Sequence, residues 1–383
     1  MLTAHTAPVV LTMTGPPQVQ AAVLLDGDRI VSVGPADALP AGVRVRTHRG
    51  VLTPGLVNAH TQLEYGPRFA DLATTGLAFG EWIRALTSRR QGMTEADWLV
   101  EARGSVHAVL RSGTTCVADV VTSGPGLRAA TLVGLAGVSY LEVVGADDAA
   151  WQAERRRVAS LLAGGVGRVL GVSPPALSTL SSHAFREAVG LARERSLRLH
   201  AHLAETAEEA ELADALGALG PDVHVAHGVH LSTSDRQLLR ARGTIVALCT
   251  RSNAVLRAGQ APVAAYLAEG SPLALGTDSL ASSPDLDLLA EARATRDLAL
   301  QQGAAPDGLA ETLVRAATVG GAAAMGLVGA AGRGVGTLVA GGRADLAVFD
   351  VPTSGDPYAA LVEHGAGRCT ATVVAGRLLH RMR

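Results

Sequence analysis

The chain has 383 residues, 48% of them apolar, which suffices for two average domains or for one large barrel with an accessory piece. A formal charge of −2 and an aromatic content of 3% remove the usual grounds for binding nucleic acid or an anionic membrane. Lysine is absent and all 33 basic residues are arginine, which excludes a P-loop lysine, a Schiff-base lysine and a carbamylated lysine bridging two metals.

The N-terminal "MLTAHTAPVVLTMTG" has no basic region ahead of an apolar core, so no signal peptide is expected. Residues 316–332 form a charge-free run that is too weakly hydrophobic for a bilayer span. Cys116, Cys249 and Cys369 are far apart and odd in number. They suit neither a disulfide framework nor a zinc knuckle, and favour a soluble cytoplasmic protein.

In chain order, residues 1–50 read as short strands joined by turns, among them "AAVLLDGDRIVSVG" with its Asp-Gly-Asp turn. From residue 51 the pattern becomes alternating strands and helices. Strands are predicted over 51–58, 114–121, 137–144, 166–173, 197–203, 223–227, 244–249 and 273–277. Helices are predicted over 181–195, 207–216 and 232–241, the last capped by Ser232 and Thr233 with Asp235. Residues 335–383 return to short strands with Gly-rich turns. Eight strands with intervening helices predict a (β/α)8 barrel over 51–334, and residues 1–50 plus 335–383 predict one small β-sandwich built from both termini. A doubly wound sheet is the competing architecture, but no Gly-rich phosphate loop follows the first strand.

Chemistry in such a barrel belongs at the carboxyl ends of its strands. His60 and Gln62 end the first strand, and His200, His202 and Glu205 the fifth. His224, His227 and His230 end the sixth, and Asp278 the eighth. Imidazoles and a carboxylate converging from four strands suit a borderline-soft divalent ion such as zinc. Glu205, just beyond its strand, is placed to reach a bound water rather than the metal. A lone barrel histidine is more often structural, which is the reading for His224 and His230. His200 alternates onto the same face as His202, one layer deeper, as a partner that orients it. An Asp in a "GTDS" turn is often a helix cap.

The motifs "LTPGLVNAHT", "HLAET", "VAHGVHLS", "CTRSN" and "LGTDSLASSPDLDLL" resemble the amidohydrolase superfamily, in its deaminase and chlorohydrolase-like branch. "GTLVAGGRADLAVFD" and "TATVVAGRLLH" resemble its closing sandwich segments, so the resemblance spans nearly the whole chain. It implies one Zn2+ held by His60, His202 and Asp278, with Gln62 in the place of a second first-strand histidine. It also implies His227 and Asp278 orienting the attacking water and Glu205 as the acid/base. The implied reaction is attack by water, its pKa lowered toward ~7, on an amidine-like carbon of an aminated heterocycle, with loss of ammonia. The substrate is then a small molecule of the aminodeoxyfutalosine, adenosine or guanine type. Superfamily members often self-associate, so a homodimer is an expectation of the resemblance alone.

Three positions depart from the pattern. Gln62 offers a neutral amide oxygen, a poorer zinc ligand than imidazole. Pro175 stands where a substrate-contacting histidine is usual, and Thr250 where proline is usual. Two alternatives follow: hydrolysis of another C–N or C–Cl bond in the same barrel, or a non-catalytic binding protein with a degenerate metal site. For substrate contacts the candidates are Gln62, Glu64, Arg251 and Asn253, although Glu64 reads equally as a solvated loop carboxylate and Arg251 as the partner of a nearby acid. Residues 74–86 occupy the place of a first-loop lid, where Phe79 and Trp82 either shield the site or pack in the core.

Overall fold

The computed structural model describes residues 2–122, 124–143, 148–164, 167–176, 180–206, 210–329 and 334–382. Eight parallel strands occur in the order of the chain: Leu56–Thr61, Thr114–Val121, Ala136–Glu142, Val169–Ser173, Leu199–Leu203, Val223–His227, Ile245–Leu248 and Leu273–Leu275. Helices cross between them, as parallel strands require. Eight parallel strands wound with helices form a (β/α)8 barrel.

The last strand closes on the first through side chains as much as backbone. Asn58 Nδ2 donates to Thr277 Oγ1 at 2.7 Å, Thr277 N donates back to Asn58 Oδ1 at 3.1 Å, and Asp278 N donates to His60 O at 3.0 Å. Gly276 permits this approach, because a Cβ there would lie 2.6 Å from the His60 Cβ. The same contacts that close the barrel therefore set His60 beside Asp278.

The predicted strand over 51–58 divides at Gly55. Val51–Pro54 pairs antiparallel with Leu346–Phe349 in the other sheet, and only Leu56–Thr61 enters the barrel. All of Val51–Pro54 is buried, so its apolar run reads the same in either sheet. Predicted strand ends at Val144 and Val166, residues 177–179 of the fourth-strand loop and the start of the 207–216 helix at 207–209 lie outside the described residues. The helix itself is described as Ala210–Ala215. Ser232 caps Thr233–Arg242 by accepting from Asp235 N.

Strands from both chain ends form one eight-stranded mixed sheet. Its order runs Arg377–Arg381, Cys369–Val374, Leu346–Phe349, Val51–Pro54, Leu2–Val10, Gln18–Asp26 and Arg29–Pro35, with Arg44–Thr47 added parallel to Leu2–Val10. It encloses an interior that includes Val10, Val23, Leu25, Ile30, Leu52, Leu346 and Val348. Among the described residues, no helix is long and apolar enough to cross a membrane.

Candidate active site and metal centre

Alternation along the first strand puts Asn58, His60 and Gln62 on one face, at successive depths. Asn58 closes the barrel, His60 lies in the site and Gln62 sits above it at the rim. In the fifth and sixth strands His200 is registered with His224, and Leu203 with His227. His200 and His224 thus form the floor, while His202 and His227 reach the mouth. Their rings stack at 5.5 Å, and each meets His60 edge-on, at 5.0 and 5.4 Å. Three non-glycine residues at these strand ends adopt positive φ: Ala204 (51°), His227 (74°) and Asp278 (60°). Such conformations are costly for residues with a side chain, and they cluster where chemistry demands an orientation.

Hydrogen bonds select the tautomers. His227 Nδ1 donates to Asn253 Oδ1 at 2.8 Å, which leaves the Nε2 lone pair facing the mouth. His60 Nδ1 lies 3.1 Å from His200 Nε2, so a His60 with an open Nε2 donates from Nδ1 to His200. The Nε2 atoms of both His60 and His227 are buried and have no hydrogen-bond partner among the described residues. His60 Nε2 is 3.5 Å from Asp278 Oδ1, and His227 Nε2 is 3.7 Å from Glu205 Oε1. Ser279 N donates to Asp278 Oδ1 at 2.7 Å and Ser252 Oγ to Oδ2 at 2.8 Å, which fixes the plane of the carboxylate.

Burial lowers the pKa of His60, and takes His200 and His202 well below the ordinary imidazole value. All three are therefore neutral near pH 7, the state in which imidazole binds a metal. Two unpartnered imidazole nitrogens, a third ring nitrogen on His202 and a fixed carboxylate make a donor set that a divalent cation fits.

Gln62 does face this centre. Its Nε2 is 3.5 Å from His202 Nε2, so its amide occupies the space between the first and fifth strands. Rotation of the amide by 180° would present Oε1 there instead. One further residue was not singled out in the sequence: one ring nitrogen each of His60 and His227 and the Cys249 thiol lie within 4.8 Å of one another. Burial pushes the Cys249 thiol well above its usual range, so it is a protonated neighbour. The only signal for it was its place at the end of the seventh strand.

Several expected contacts are corrected. His200 orients His60 rather than His202, with their rings stacked at 4.9 Å, because the hydrogen bond runs across the barrel floor. Asn253 is buried against His227 and acts on that ring, not on the mouth. Arg251 spends both guanidinium ends on Asp285, at 2.7 and 2.8 Å. Glu64 is buried and accepts from the backbone N and the hydroxyl of Thr122, tying the loop after the first strand to the end of the second. His224 and His230 are structural: their Nε2 atoms donate to Ala59 O at 2.9 Å and Ala258 O at 2.7 Å. Trp82, on the helix Phe79–Arg90, is buried and donates from Nε1 to Ala281 O at 2.9 Å. The lid segment is thereby fastened to the loop that follows Asp278.

A barrel with histidines and an aspartate at its strand ends, with the Glu205 carboxylate beside His227, has the layout of a hydrolase scaffold built to hold a divalent metal. The chain belongs to the amidohydrolase family, whose model matches residues 51–379. A 5-methylthioadenosine/S-adenosylhomocysteine deaminase of Halobacterium salinarum is 34% identical over 361 residues, 86% of this chain and 80% of that protein. A 5'-deoxyadenosine deaminase of Methanosarcina mazei is 29% identical, over 93% of this chain and 87% of its own. Among solved structures, an adenosine deaminase from Xanthomonas campestris with bound zinc superposes with a TM-score of 0.84 at 24% identity, covering 100% of this chain and 93% of its own.

Proposed function

We propose that this chain is a hydrolytic deaminase of a purine-nucleoside-type small molecule, with one zinc ion held by His60, His202 and Asp278. Gln62 offers its amide oxygen as a weaker fourth donor. A zinc ion, when bound, lowers the pKa of water toward ~7 and so supplies a nucleophile near neutrality. The rest is the work of the side chains. The His227 Nε2 lone pair, kept open by the Asn253 bond, accepts one hydrogen bond from the attacking water, whose other O–H faces Glu205, while Asp278 holds the donor set in place. Glu205 takes the first water proton to a ring nitrogen of the substrate and then the second, from the hydroxyl now on the attacked carbon, to the departing amine, so that ammonia leaves and a carbonyl forms. The Trp82 lid shields the reaction from bulk solvent.

The observation that carries this reading is His227 Nε2, buried, without a hydrogen-bond partner among the described residues and 3.7 Å from Glu205 Oε1. A binding protein gains nothing from an unsatisfied imidazole beside a carboxylate, whereas a general base needs a positioned water between them. The adenosine-type relatives at about a third identity support the purine class. The test is ammonia release by zinc-loaded and chelator-stripped protein on 5'-methylthioadenosine, S-adenosylhomocysteine, 5'-deoxyadenosine and guanine. Release from at least one purine by the loaded form alone is expected. Bound zinc without ammonia from any of them overturns the proposal.

A further inference from the structure

The terminal sheet forks. Leu2–Val10 carries two strands on the same edge: Arg44–Thr47 opposite Thr3–Thr6, and Val51–Pro54 opposite Val9 and Val10. From the second of these the sheet continues through Leu346–Phe349 and Cys369–Val374 to Arg377–Arg381, while Arg44–Thr47 adds no strand beyond itself. Gly50 sits at the fork with φ of 76°, and a Cβ there would lie 2.0 Å from Phe349 O. The two arms enclose a cavity of about 800 Å³. That is the size of a pocket for a nucleotide or other small molecule.

Its lining is strongly basic. Arg44, Arg46, Arg49 and Arg381 all border it, against Asp350 as the one acid. None of the four arginines is paired with a carboxylate among the described residues, in contrast to Arg251, Arg236 and Arg343, which are. Arg44 and Arg46 project from the same side of one strand, roughly 7 Å apart, and Arg381 faces them from the other arm. On a chain of net charge −2, four unpaired guanidiniums around one cavity repel one another, and the single acid in the lining, Asp350, offsets only part of that cost. On the floor lies His48, with His5 behind it: His5 Nδ1 and His48 Nε2 are 2.9 Å apart with their rings stacked at 5.1 Å. Burial above all, with Arg46 nearby, holds both rings neutral, so the floor adds hydrogen-bonding groups and no further charge.

We propose that this fork is a binding site for a small molecule bearing a polyphosphate chain. Guanidinium forks match phosphate oxygens in pairs, and the spacing of the four suits several linked phosphates better than a single one. No Phe, Tyr or Trp lines the cavity to stack on nucleic-acid bases. The site lies in the terminal sheet and does not depend on the deaminase reading.

The test is titration calorimetry of the full chain with sodium tripolyphosphate and with ATP at ~50 and ~200 mM salt. Saturable one-site binding is expected, weakening as salt rises, and reduced at least tenfold in Arg46→Gln/Arg381→Gln. Ammonia release by that variant should match the unmodified protein. Arg44→Gln/Arg49→Gln, at exposed positions, gives the same reading should the first variant misfold. Tighter binding of ATP than of tripolyphosphate assigns a nucleotide; equal binding assigns the phosphate chain alone. The proposal is overturned by no saturable binding of either anion, by unchanged affinity in folded variants, or by equal affinity for a glutamate-rich peptide of matched charge.

Discussion

Two of the stacked histidine pairs also bring their ring nitrogens within hydrogen-bond distance, and they differ in their surroundings. His60 and His200 stack at 4.9 Å with nitrogens 3.1 Å apart, and His5 and His48 at 5.1 Å with nitrogens 2.9 Å apart. The first pair faces Asp278, with Glu205 and two more imidazoles beyond, while the second faces arginines. Neutral imidazole is common to both, so the sign of the neighbouring charges separates a centre suited to a cation from a cavity suited to an anion. A paired imidazole is therefore a scaffold whose role is decided by the second layer.

The comparison can be broken most forcefully at the carboxylate side. Replacing Glu205→Gln keeps the shape and removes the base, so kcat should fall about 10²–10⁴-fold while bound metal, measured by elemental analysis, is unchanged. Loss of metal together with activity would place Glu205 among the ligands instead. Next in size is the group behind His227. Asn253→Ala frees that ring to adopt the other tautomer, and activity should drop about 10–100-fold with a shifted pH–rate profile. An unshifted profile would show that Asn253 only packs.

The third change sharpens the metal side. Gln62→His should tighten zinc binding about tenfold or more in a competition with a chromophoric chelator. The 3.5 Å approach of Gln62 to His202 makes an unchanged affinity incompatible with this geometry. The smallest effect concerns the arginine-side pair. In the fold His5 is lowered from 6.5 to about 3 and His48 to about 4, chiefly by burial. As pH falls through 6.5 the unfolded chain takes up protons that the native pair refuses, so stability declines until about pH 4 to 3, where the native pair takes them up too. The slope is at most about 1.4 kcal/mol per pH unit for His5, and less for the part-exposed His48. Thermal melts between pH 7 and pH 5 should flatten in His5→Phe, and an identical slope would mean that the pair does not stay neutral.

Much of the fold was legible because barrel strands are apolar runs that end in polar residues. Two strands, Thr114–Val121 and Val223–His227, run over the predicted residues, and His60, His202, His227 and Asp278 converge as strand-end reading implied. What the sequence left open shares one cause. Arg251, Glu64 and Asn253 are polar residues near the mouth whose partners, Asp285, Thr122 and His227, come from other segments. Spacing along one segment cannot show that a charge is already satisfied by another. The division of 51–58 between two sheets was hidden for a similar reason: a fully buried strand carries no mark of which sheet buries it.

By itself the sequence determined the alternation of strands and helices, the chemical types of the site and the absence of any lysine chemistry. These are local properties, set by periodicity and side-chain identity. The tertiary structure alone decided that His200 serves His60, that Asn253 sets the tautomer of His227, that Gln62 leans on His202, and that Arg381 joins Arg44, Arg46 and Arg49 around one cavity. Each of these depends on distances between segments up to hundreds of residues apart in the chain, and such distances are set by barrel closure and sheet pairing.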